Sequence, residues 1–239
     1  MQDAYGEIGV QVERPDGSVV TDFRSSPDMR STVQKAEDEL IGGEPVDLDS
    51  LLDERHRRFY GGPWILGVYY YDQLLARGLK PTDHVLDVGC GVGRVGAQVI
   101  PYLEADRYCG LDAHLWSLVA FARYETVIHR LAAKRPRLML TSTFQVAAFG
   151  RTFDAVFDFS VTRGLQMEQV RLAYRNIAAC MNEGGRVFLS AESKLPVEEM
   201  EALGLRRSYV GEARYPLFEH SKKWPRTTSP WHEFTRVGR

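Results

Sequence analysis

The feature that most constrains this chain is an apolar strand that runs into a glycine-rich turn and then into a helix. Residues 85–96 read VLDVGCGVGRVG. Glycines let a backbone turn tightly and bring its amides close to a ligand, and the helix that follows points its positive dipole end at the same place. The segment therefore predicts a ligand site at the end of a strand.

The chain beyond this turn alternates short apolar runs with segments of helical periodicity. The runs with the length of strands lie at residues 84–88, 107–111, 137–141, 154–161 and 186–192. Strands separated by helices need right-handed crossovers, which give a mostly parallel sheet with helices on both faces. Two further runs, 206–218 and 231–237, are joined by a polar loop, so they should pair antiparallel and put a reversed strand at one sheet edge. The predicted fold is α/β and doubly wound, with a mostly parallel seven-stranded sheet whose last strand is antiparallel.

The N-terminal third of the chain lacks this alternation. It begins with two alternating runs around residues 14–17, which predict a hairpin. Helix-like segments follow, and the last runs from Trp64 to about Arg77 and is closed by Gly78. We expect residues 1–80 to form a helical and hairpin cover, and residues 81–239 to form the ligand-binding core.

The charge balance and the cysteine content narrow the functional classes. Lys and Arg number 30 against 32 Asp and Glu, a formal net charge of -2, so no overall basic field attracts nucleic acid or anionic lipid. No apolar stretch approaches the roughly 20 residues of a membrane helix, and the N-terminus lacks the layout of a signal peptide. The three cysteines are widely spaced and form neither a zinc pattern nor a disulfide framework. We expect a cytoplasmic protein without a membrane or nucleic-acid partner, and the sequence leaves a homo-oligomer open.

Two cofactors fit the glycine turn. Counted from Gly91 it reads GxGxxG, and Asp112 follows about twenty residues later, where a dinucleotide enzyme binds its ribose. Counted from Asp87 it reads DxGxGxG, which resembles motif I of the class I S-adenosylmethionine-dependent methyltransferases. An acid two residues before the first glycine suits an ammonium group better than a pyrophosphate.

Further motifs resemble the same methyltransferase family, in the same order along the chain. Residues 153–156 read FDAV, like the opening of its fourth strand, and residues 182–186 read NEGGR, like the glycine pair before its fifth strand. An antiparallel last strand is also typical of that family. The resemblance extends from Asp83 to the C-terminus and implies an enzyme that uses S-adenosylmethionine and releases S-adenosylhomocysteine.

The resemblance also implies which residues bind the cofactor, because ligands lie beyond the carboxyl ends of the strands in such sheets. Asp87 would bind the methionine part and Asp112 the ribose hydroxyls, although Asp112 would also suit the N-cap of the next helix. After the third strand, where the family often has an acid for adenine, residues 142–145 read STFQ. A hydroxyl or the Gln145 amide would take that hydrogen bond, with Phe144 against the ring. The predicted cofactor-binding residues are Asp87, Gly89, Cys90, Gly91, Gly93, Asp112, Ala113, His114, Ser142, Thr143, Phe144, Asp158 and Tyr60.

Methyl transfer from a sulfonium needs an acceptor held in line and, for a hydroxyl or protonated amine, a base that takes a proton. His220, in the loop before the last strand, is the first candidate because an unperturbed histidine titrates near neutrality. His232 is the second candidate and Asp158 the third. Tyr60 would contact the sulfonium or close the acceptor pocket, whereas the run Tyr69–Tyr71 is expected in the core. No metal site is predicted.

The acceptor is predicted by exclusion. DNA amino-methyltransferases of this fold carry a (D/N)PP(Y/F) motif after the fourth strand, and this chain reads DFSV from Asp158. Together with the acidic net charge, this favours O- or N-methylation of a small molecule such as a metabolite, a sugar or a natural product. Two alternatives are retained: an NAD(P)-dependent Rossmann oxidoreductase, and a non-catalytic cofactor-binding partner subunit.

Overall fold

A computed structural model of the chain describes residues 9–14, 16–20, 65–215 and 228–238. The strands are β1 (Gly9–Glu13), β2 (Val19–Val20), β3 (Val85–Val88), β4 (Tyr108–Asp112), β5 (Arg137–Leu140), β6 (Phe153–Asp158), β7 (Met181–Leu189), β8 (Leu205–Arg214) and β9 (Thr228–Arg236). The α-helices are α1 (Ile65–Ala76), α2 (Gly96–Tyr102), α3 (Leu115–Ala120), α4 (Thr126–Ile128), α5 (Met167–Ala179) and α6 (Val197–Ala202). A π-helical turn covers Phe121–Glu125, and 3-10 turns cover Ala132–Lys134, Val146–Phe149 and Thr162–Gly164.

The strands of these described segments form one sheet in the order β2-β1-β5-β4-β3-β6-β7-β9-β8. From β1 through β7 the neighbouring strands are parallel, whereas β9 is antiparallel to both β7 and β8. The chain moves outward from β3 to β4 and β5 and then returns to the other side of β3, so the strand order reverses at β3. This confirms the predicted doubly wound α/β fold with an antiparallel last strand.

The hairpin predicted at the N-terminus is present, but it extends the sheet rather than covering it. Val12 lies opposite Val20, and the turn is closed by a 2.7 Å hydrogen bond from the Arg14 amide to the Ser18 carbonyl. On its other side β1 pairs in parallel with β5, up to Val12 opposite Leu140. The core sheet of seven strands therefore gains two more. The division of the chain at residue 80 stays a prediction.

The reversed strand lies inside the sheet, and the expectation that it forms an edge is wrong. β9 sits between β7 and β8, and its four central residues, 231–234, are consecutively buried. β8 is mostly exposed along residues 206–210. A strand buried on both faces needs partners on both sides, while a polar strand with arginines tolerates an edge. The apolar content of the two strands thus decides which one lies inside.

Two hydrophobic cores pack against opposite faces of the sheet. Ala155 and Phe157 of β6 point into the core that contains Leu74 of α1, and Val156 points into the core that contains Tyr174 of α5. This is the alternation expected of a strand covered on both sides. In the described segments, no helix has the length and apolar character needed to cross a membrane.

The helical segment that begins at Leu115 is interrupted by a π-helical turn at Phe121–Glu125. The ring of Phe121 is fully buried against the glycine turn, where it occupies the space that a Cβ atom on Gly93 or Gly96 would need. After the turn, the Thr126 hydroxyl donates to the Ala122 carbonyl at 2.5 Å. Such local bonding competes with regular helix geometry.

Gly93 provides a stability test of this close packing. It has φ +83°, and an added Cβ would overlap the Phe121 ring, whereas Gly150 has φ +64° with nothing within 4 Å. Gly150→Ala should therefore lower the free energy of unfolding by about 1–2 kcal/mol through backbone strain alone. Gly93→Ala should add about 1–3 kcal/mol of overlap to that loss. Urea denaturation measures both, and equal losses would mean that the Phe121 ring moves aside at no cost.

Candidate functional site

A cavity of about 410 Å³ opens at the C-terminal ends of β3, β4, β5 and β6. It lies where the strand order reverses, which is the place at which open α/β sheets bind ligands. The predicted site residues that line it are Asp87, Gly89, Cys90, Gly91, Asp112, Ala113, Ser142 and Phe144. The predicted residues that the structure describes away from its lining are Gly93, His114, Thr143, Asp158 and His232. Tyr60 and His220 lie outside the described residues.

The glycine turn uses its amides within the protein. The Gly89 and Cys90 amides both donate to the Leu111 carbonyl, at 2.7 and 3.0 Å. The Gly91 amide donates to Oδ2 of Asp112 at 2.9 Å. A dinucleotide site instead leaves such amides and a helix N-terminus for the pyrophosphate. These contacts disfavour the NAD(P) alternative, and they tie the turn after β3 to the end of β4.

Asp87 is a buried carboxyl group on the wall of the cavity. Burial raises its pKa to about 7, and the nearby charges of Asp112 and Asp158 act in the same direction. The Tyr108 hydroxyl donates to Asp87 Oδ2 at 2.6 Å, which opposes the rise. A carboxylate that ionises at such a cost gains strongly from a cation beside it. The cavity therefore suits a ligand with an ammonium group at this position.

Asp112 keeps acceptor capacity toward the cavity. Its Oδ2 accepts from the Gly91 amide at 2.9 Å, and its Oδ1 accepts from the His114 amide at 2.7 Å. Each carboxylate oxygen can accept two hydrogen bonds, so Asp112 keeps acceptor positions for a ligand diol. The N-cap of α3 is His114, whose Nδ1 accepts from the Ser117 amide at 3.4 Å. The alternative prediction, that Asp112 caps this helix, is therefore wrong.

The loop after β5 is braced by a residue that sequence reasoning missed. Glu13, at the end of β1, accepts hydrogen bonds from the Ser142 amide at 3.0 Å and the Thr143 amide at 3.2 Å. The hydroxyl groups of Thr141 and Thr143 also donate to its carboxylate. Partial burial acts to raise the pKa of Glu13, but these hydrogen bonds outweigh it and the pKa lies below its usual value. Only the pairing of β1 with β5 brings Glu13 here, and no local motif signals it.

Asp158 braces the loop after β6 instead of facing the cavity. Its Oδ1 accepts from the Val161 and Thr162 amides at 3.0 and 3.2 Å. Its Oδ2 accepts from the Tyr174 hydroxyl at 2.8 Å and from the Thr162 hydroxyl. These contacts end β6 at residue 158, short of the predicted 161. They also leave Asp158 as a structural support for Ser160, which lines the cavity with φ +77°.

The aromatic wall of the cavity consists of Tyr70 from α1 and Phe159 after β6. Their rings stack with centroids 4.3 Å apart, and Trp231 backs Phe159 at 5.4 Å. Both wall residues are half-buried, and both line the cavity. Tyr69 is buried in the core as predicted, and Tyr70 packs against that core while it also lines the cavity.

His232 lies within β9, opposite Leu189 of β7 and Val210 of β8. It is buried, and burial lowers its pKa below the usual value, which favours the neutral ring. His114 is exposed and serves as a helix cap. Neither histidine lines the cavity, so the described residues give no support to His232 as the base or to His114 as a cofactor contact.

A family model described as "Methyltransferase domain" matches residues 86–187. The matched segment begins in β3 and ends in β7, so it contains the strands whose ends form the cavity. A comparison with curated protein sequences gave no significant match.

Solved structures of similar fold include several methyltransferases. The magnesium protoporphyrin IX methyltransferase of Synechocystis PCC 6803, with bound S-adenosylmethionine, has a TM-score of 0.55 and 16% identity over 87% of this chain and 92% of that one. The N-methyltransferase NodS of Bradyrhizobium japonicum has a TM-score of 0.52 and 14% identity over 71% and 95%. The glycopeptide N-methyltransferase MtfA, in complex with S-adenosylhomocysteine, has a TM-score of 0.55 and 14% identity over 71% and 90%. At these identities the structural likeness establishes the fold.

The family match, the strand order and the cavity at β3 together define a class I methyltransferase domain. The family match covers residues 86–187, and with the fold it supports the S-adenosylmethionine-dependent methyltransferase, with S-adenosylmethionine as cofactor, that the motif around Asp87 predicts.

The raised pKa of Asp87 predicts how binding of S-adenosylhomocysteine depends on pH. The ligand ammonium pairs with the ionised carboxylate, so affinity should rise as the pH rises through about 7. Between pH 6 and pH 8 the gain should be about tenfold, which titration calorimetry can measure. Tyr108→Phe removes a hydrogen bond that favours the ionised form, so the midpoint should move to higher pH. Asp87→Asn should bind weakly at every pH, and a wild-type affinity that is flat over this range would contradict the assignment.

Proposed function

We propose that this protein transfers a methyl group from S-adenosylmethionine to an oxygen or nitrogen atom of a small-molecule acceptor. The observation that carries the proposal is that Asp87 and Asp112, at the ends of adjacent strands, line one cavity across the bonded glycine turn. In this arrangement one carboxyl group suits an ammonium and the other suits a diol, and S-adenosylmethionine carries both groups.

The described residues fit the cofactor as a set. Asp87 would hold the amino group of the methionine part, and Asp112 would accept from both ribose hydroxyls. Ser142 and Phe144, after β5, would contact the adenine with a hydroxyl and a ring face. Because β5, β4 and β3 lie side by side in that order, the three parts of the cofactor follow the strand ends across the sheet.

The transfer step itself needs positioning more than acid or base strength. When bound, S-adenosylmethionine supplies a methyl group on a positively charged sulfur; the acceptor lone pair forms the new bond while the sulfur keeps the pair of the broken one. An ammonium acceptor would first lose a proton to a base or to water, because it has no lone pair while protonated, and a hydroxyl acceptor would lose its proton during or after the transfer. Asp158 is occupied by the loop after β6, so we infer that it supports the site rather than acting as that base. His220 stays the candidate from the sequence.

The acceptor would lie at the β6 side of the cavity, against Tyr70 and Phe159. An aromatic wall favours a flat or apolar group over a phosphate backbone. The neighbours of similar fold include enzymes named for a porphyrin and a glycopeptide, which agrees with an acceptor other than nucleic acid. Together with the acidic net charge, these features support a metabolite or natural-product acceptor, and the cytoplasmic location stays a prediction from the sequence.

Cofactor selectivity tests the first part of the proposal. Titration calorimetry with S-adenosylhomocysteine should give binding to the wild type, and NADH should give none. Asp112→Asn keeps the size of the side chain but replaces one carboxylate oxygen with an NH2 group, so we expect affinity to fall about tenfold to a hundredfold. Binding of NADH with no response to S-adenosylhomocysteine would reverse the assignment.

Methyl transfer and the aromatic wall are tested together. The protein is incubated with methyl-labelled S-adenosylmethionine and a metabolite extract, and labelled products are detected by mass spectrometry. Tyr70→Leu should reduce labelling about tenfold at limiting acceptor, because the acceptor loses its aromatic contact, while affinity for S-adenosylhomocysteine stays within about twofold. Tyr71→Leu is the matched control, since Tyr71 lies on the same helix and packs against Tyr102 instead.

The outcomes separate the remaining alternative. Binding of S-adenosylhomocysteine without any labelled product would support the non-catalytic partner subunit. An equal loss of labelling in the Tyr70 and Tyr71 variants would place the acceptor away from the aromatic wall.

A further inference from the structure

Glu13 connects the N-terminal hairpin to the wall of the cavity. In the parallel pairing of β1 with β5, Val12 lies opposite Leu140, so the next residue of β1 stands beside the loop that follows β5. Its carboxylate accepts from two backbone amides and two hydroxyl groups of residues 141–143. Four donors on one ionised carboxylate form a stronger set than neutral hydrogen bonds would. The loop is thus held by a residue far away in sequence.

The loop that Glu13 holds has a backbone conformation that needs support. Phe144 has φ +57°, in the left-handed region that non-glycine residues rarely adopt. Phe144 and Ser142 both line the cavity. From the other side, the side-chain Nδ2 of Asn176 on α5 donates to the Phe144 carbonyl at 3.0 Å and to the Thr143 carbonyl at 3.2 Å. Strained backbone at a ligand site persists only where the surroundings hold it.

The same contacts decide which groups the loop can offer to a ligand. The amides of Ser142 and Thr143 are committed to Glu13, and so are the hydroxyl groups of Thr141 and Thr143. Thr141, Ser142 and Phe144 line the cavity, so the Ser142 hydroxyl and the Phe144 side chain are the groups of this loop that remain for a ligand. Glu13 therefore shapes recognition without lining the cavity itself.

We propose that Glu13 is a positioning residue for the adenosine end of the cofactor, acting through residues 141–144. This inference rests on the proposed function, because it takes the ligand to be S-adenosylmethionine with its adenine beside β5. Through Glu13, the N-terminal hairpin would contribute to cofactor binding. Asp87 acts on the opposite, amino-acid end, so the two residues should affect different parts of the ligand.

Two ligands distinguish contacts to the adenosine end of the cofactor from contacts to its amino-acid end. S-adenosylhomocysteine carries both, whereas 5′-methylthioadenosine carries the adenosine end and lacks the amino acid. Glu13→Gln puts an NH2 group among four donors, so the dissociation constant should rise about tenfold for both ligands. Asp87→Asn should raise it for S-adenosylhomocysteine and leave 5′-methylthioadenosine within about twofold. Titration calorimetry on the full chain gives the dissociation constant and the number of binding sites for each.

A matched control removes a carboxylate from the same hairpin. Asp16 accepts from the amide and hydroxyl of Ser18 in the exposed turn and does not contact the loop. Asp16→Asn should bind both ligands like the wild type. A folding defect would lower the number of binding sites rather than raise the dissociation constant. If Glu13→Gln does not fold, Thr143→Val removes one of the donors and should raise the dissociation constant about threefold for both ligands.

Three results would overturn the inference: wild-type affinity of Glu13→Gln for 5′-methylthioadenosine, an equal loss in Asp16→Asn, or a loss limited to S-adenosylhomocysteine. The wild-type protein tests the underlying function separately. If it binds neither ligand, the proposed function fails whatever the variants do.

Discussion

The site depends on the hydrogen bonds between the glycine turn and the end of β4. Buried amides must find acceptors, and those of Gly89 and Cys90 find the Leu111 carbonyl of the neighbouring strand. The Gly91 amide donates to the side-chain Oδ2 of Asp112. Because β3 and β4 pair in parallel, with Val88 opposite Leu111, these bonds hold the two strand ends level. The carboxyl groups of Asp87 and Asp112 therefore reach one cavity from adjacent strands.

The acids around the cavity divide into two pairs with different environments. Asp87 and Asp112 line it, and burial raises the pKa of both, as it also does for Asp158. Glu13 and Asp158 lie behind it. Glu13 accepts hydrogen bonds from the loop after β5, and Asp158 accepts them from the loop after β6. Each of those loops carries a lining residue with a positive φ, Phe144 in one and Ser160 in the other. Glu13 and Asp158 stabilise backbone conformations that would otherwise relax. Asp87 and Asp112 are buried carboxyl groups whose ionised forms a ligand cation or donor can stabilise.

Most of the fold and the donor half of the site could be predicted because their signals are local. The strand, the glycine turn and the acid of Asp87 stand within one short segment, and Asp112 follows at the end of the next strand. The order of β8 and β9 was harder, because it depends on which strand is buried on both faces, and the pairing pattern alone leaves that open. Glu13 could not be assigned from sequence at all. Its role exists only once β1 pairs with β5, and an exposed hairpin has the same alternation as one added to a sheet edge.

The two halves of the cavity also differ in how far apart their residues lie along the chain, and this explains which half stayed uncertain. The donor half is built mainly by consecutive strand ends around β3, β4 and β5. The aromatic wall is assembled from α1, the loop after β6 and, behind it, Trp231 of β9. A tyrosine on α1 shows the same helical spacing whether it packs in the core or faces a ligand, so Tyr70 could not be distinguished from Tyr69 by periodicity. Only the insertion of β9 beside β7 puts Trp231 behind Phe159 and leaves the Tyr70 and Phe159 rings as the outer layer. The proposed acceptor side therefore depends on long-range packing, whereas the donor side depends mainly on local sequence, apart from the loop that Glu13 holds.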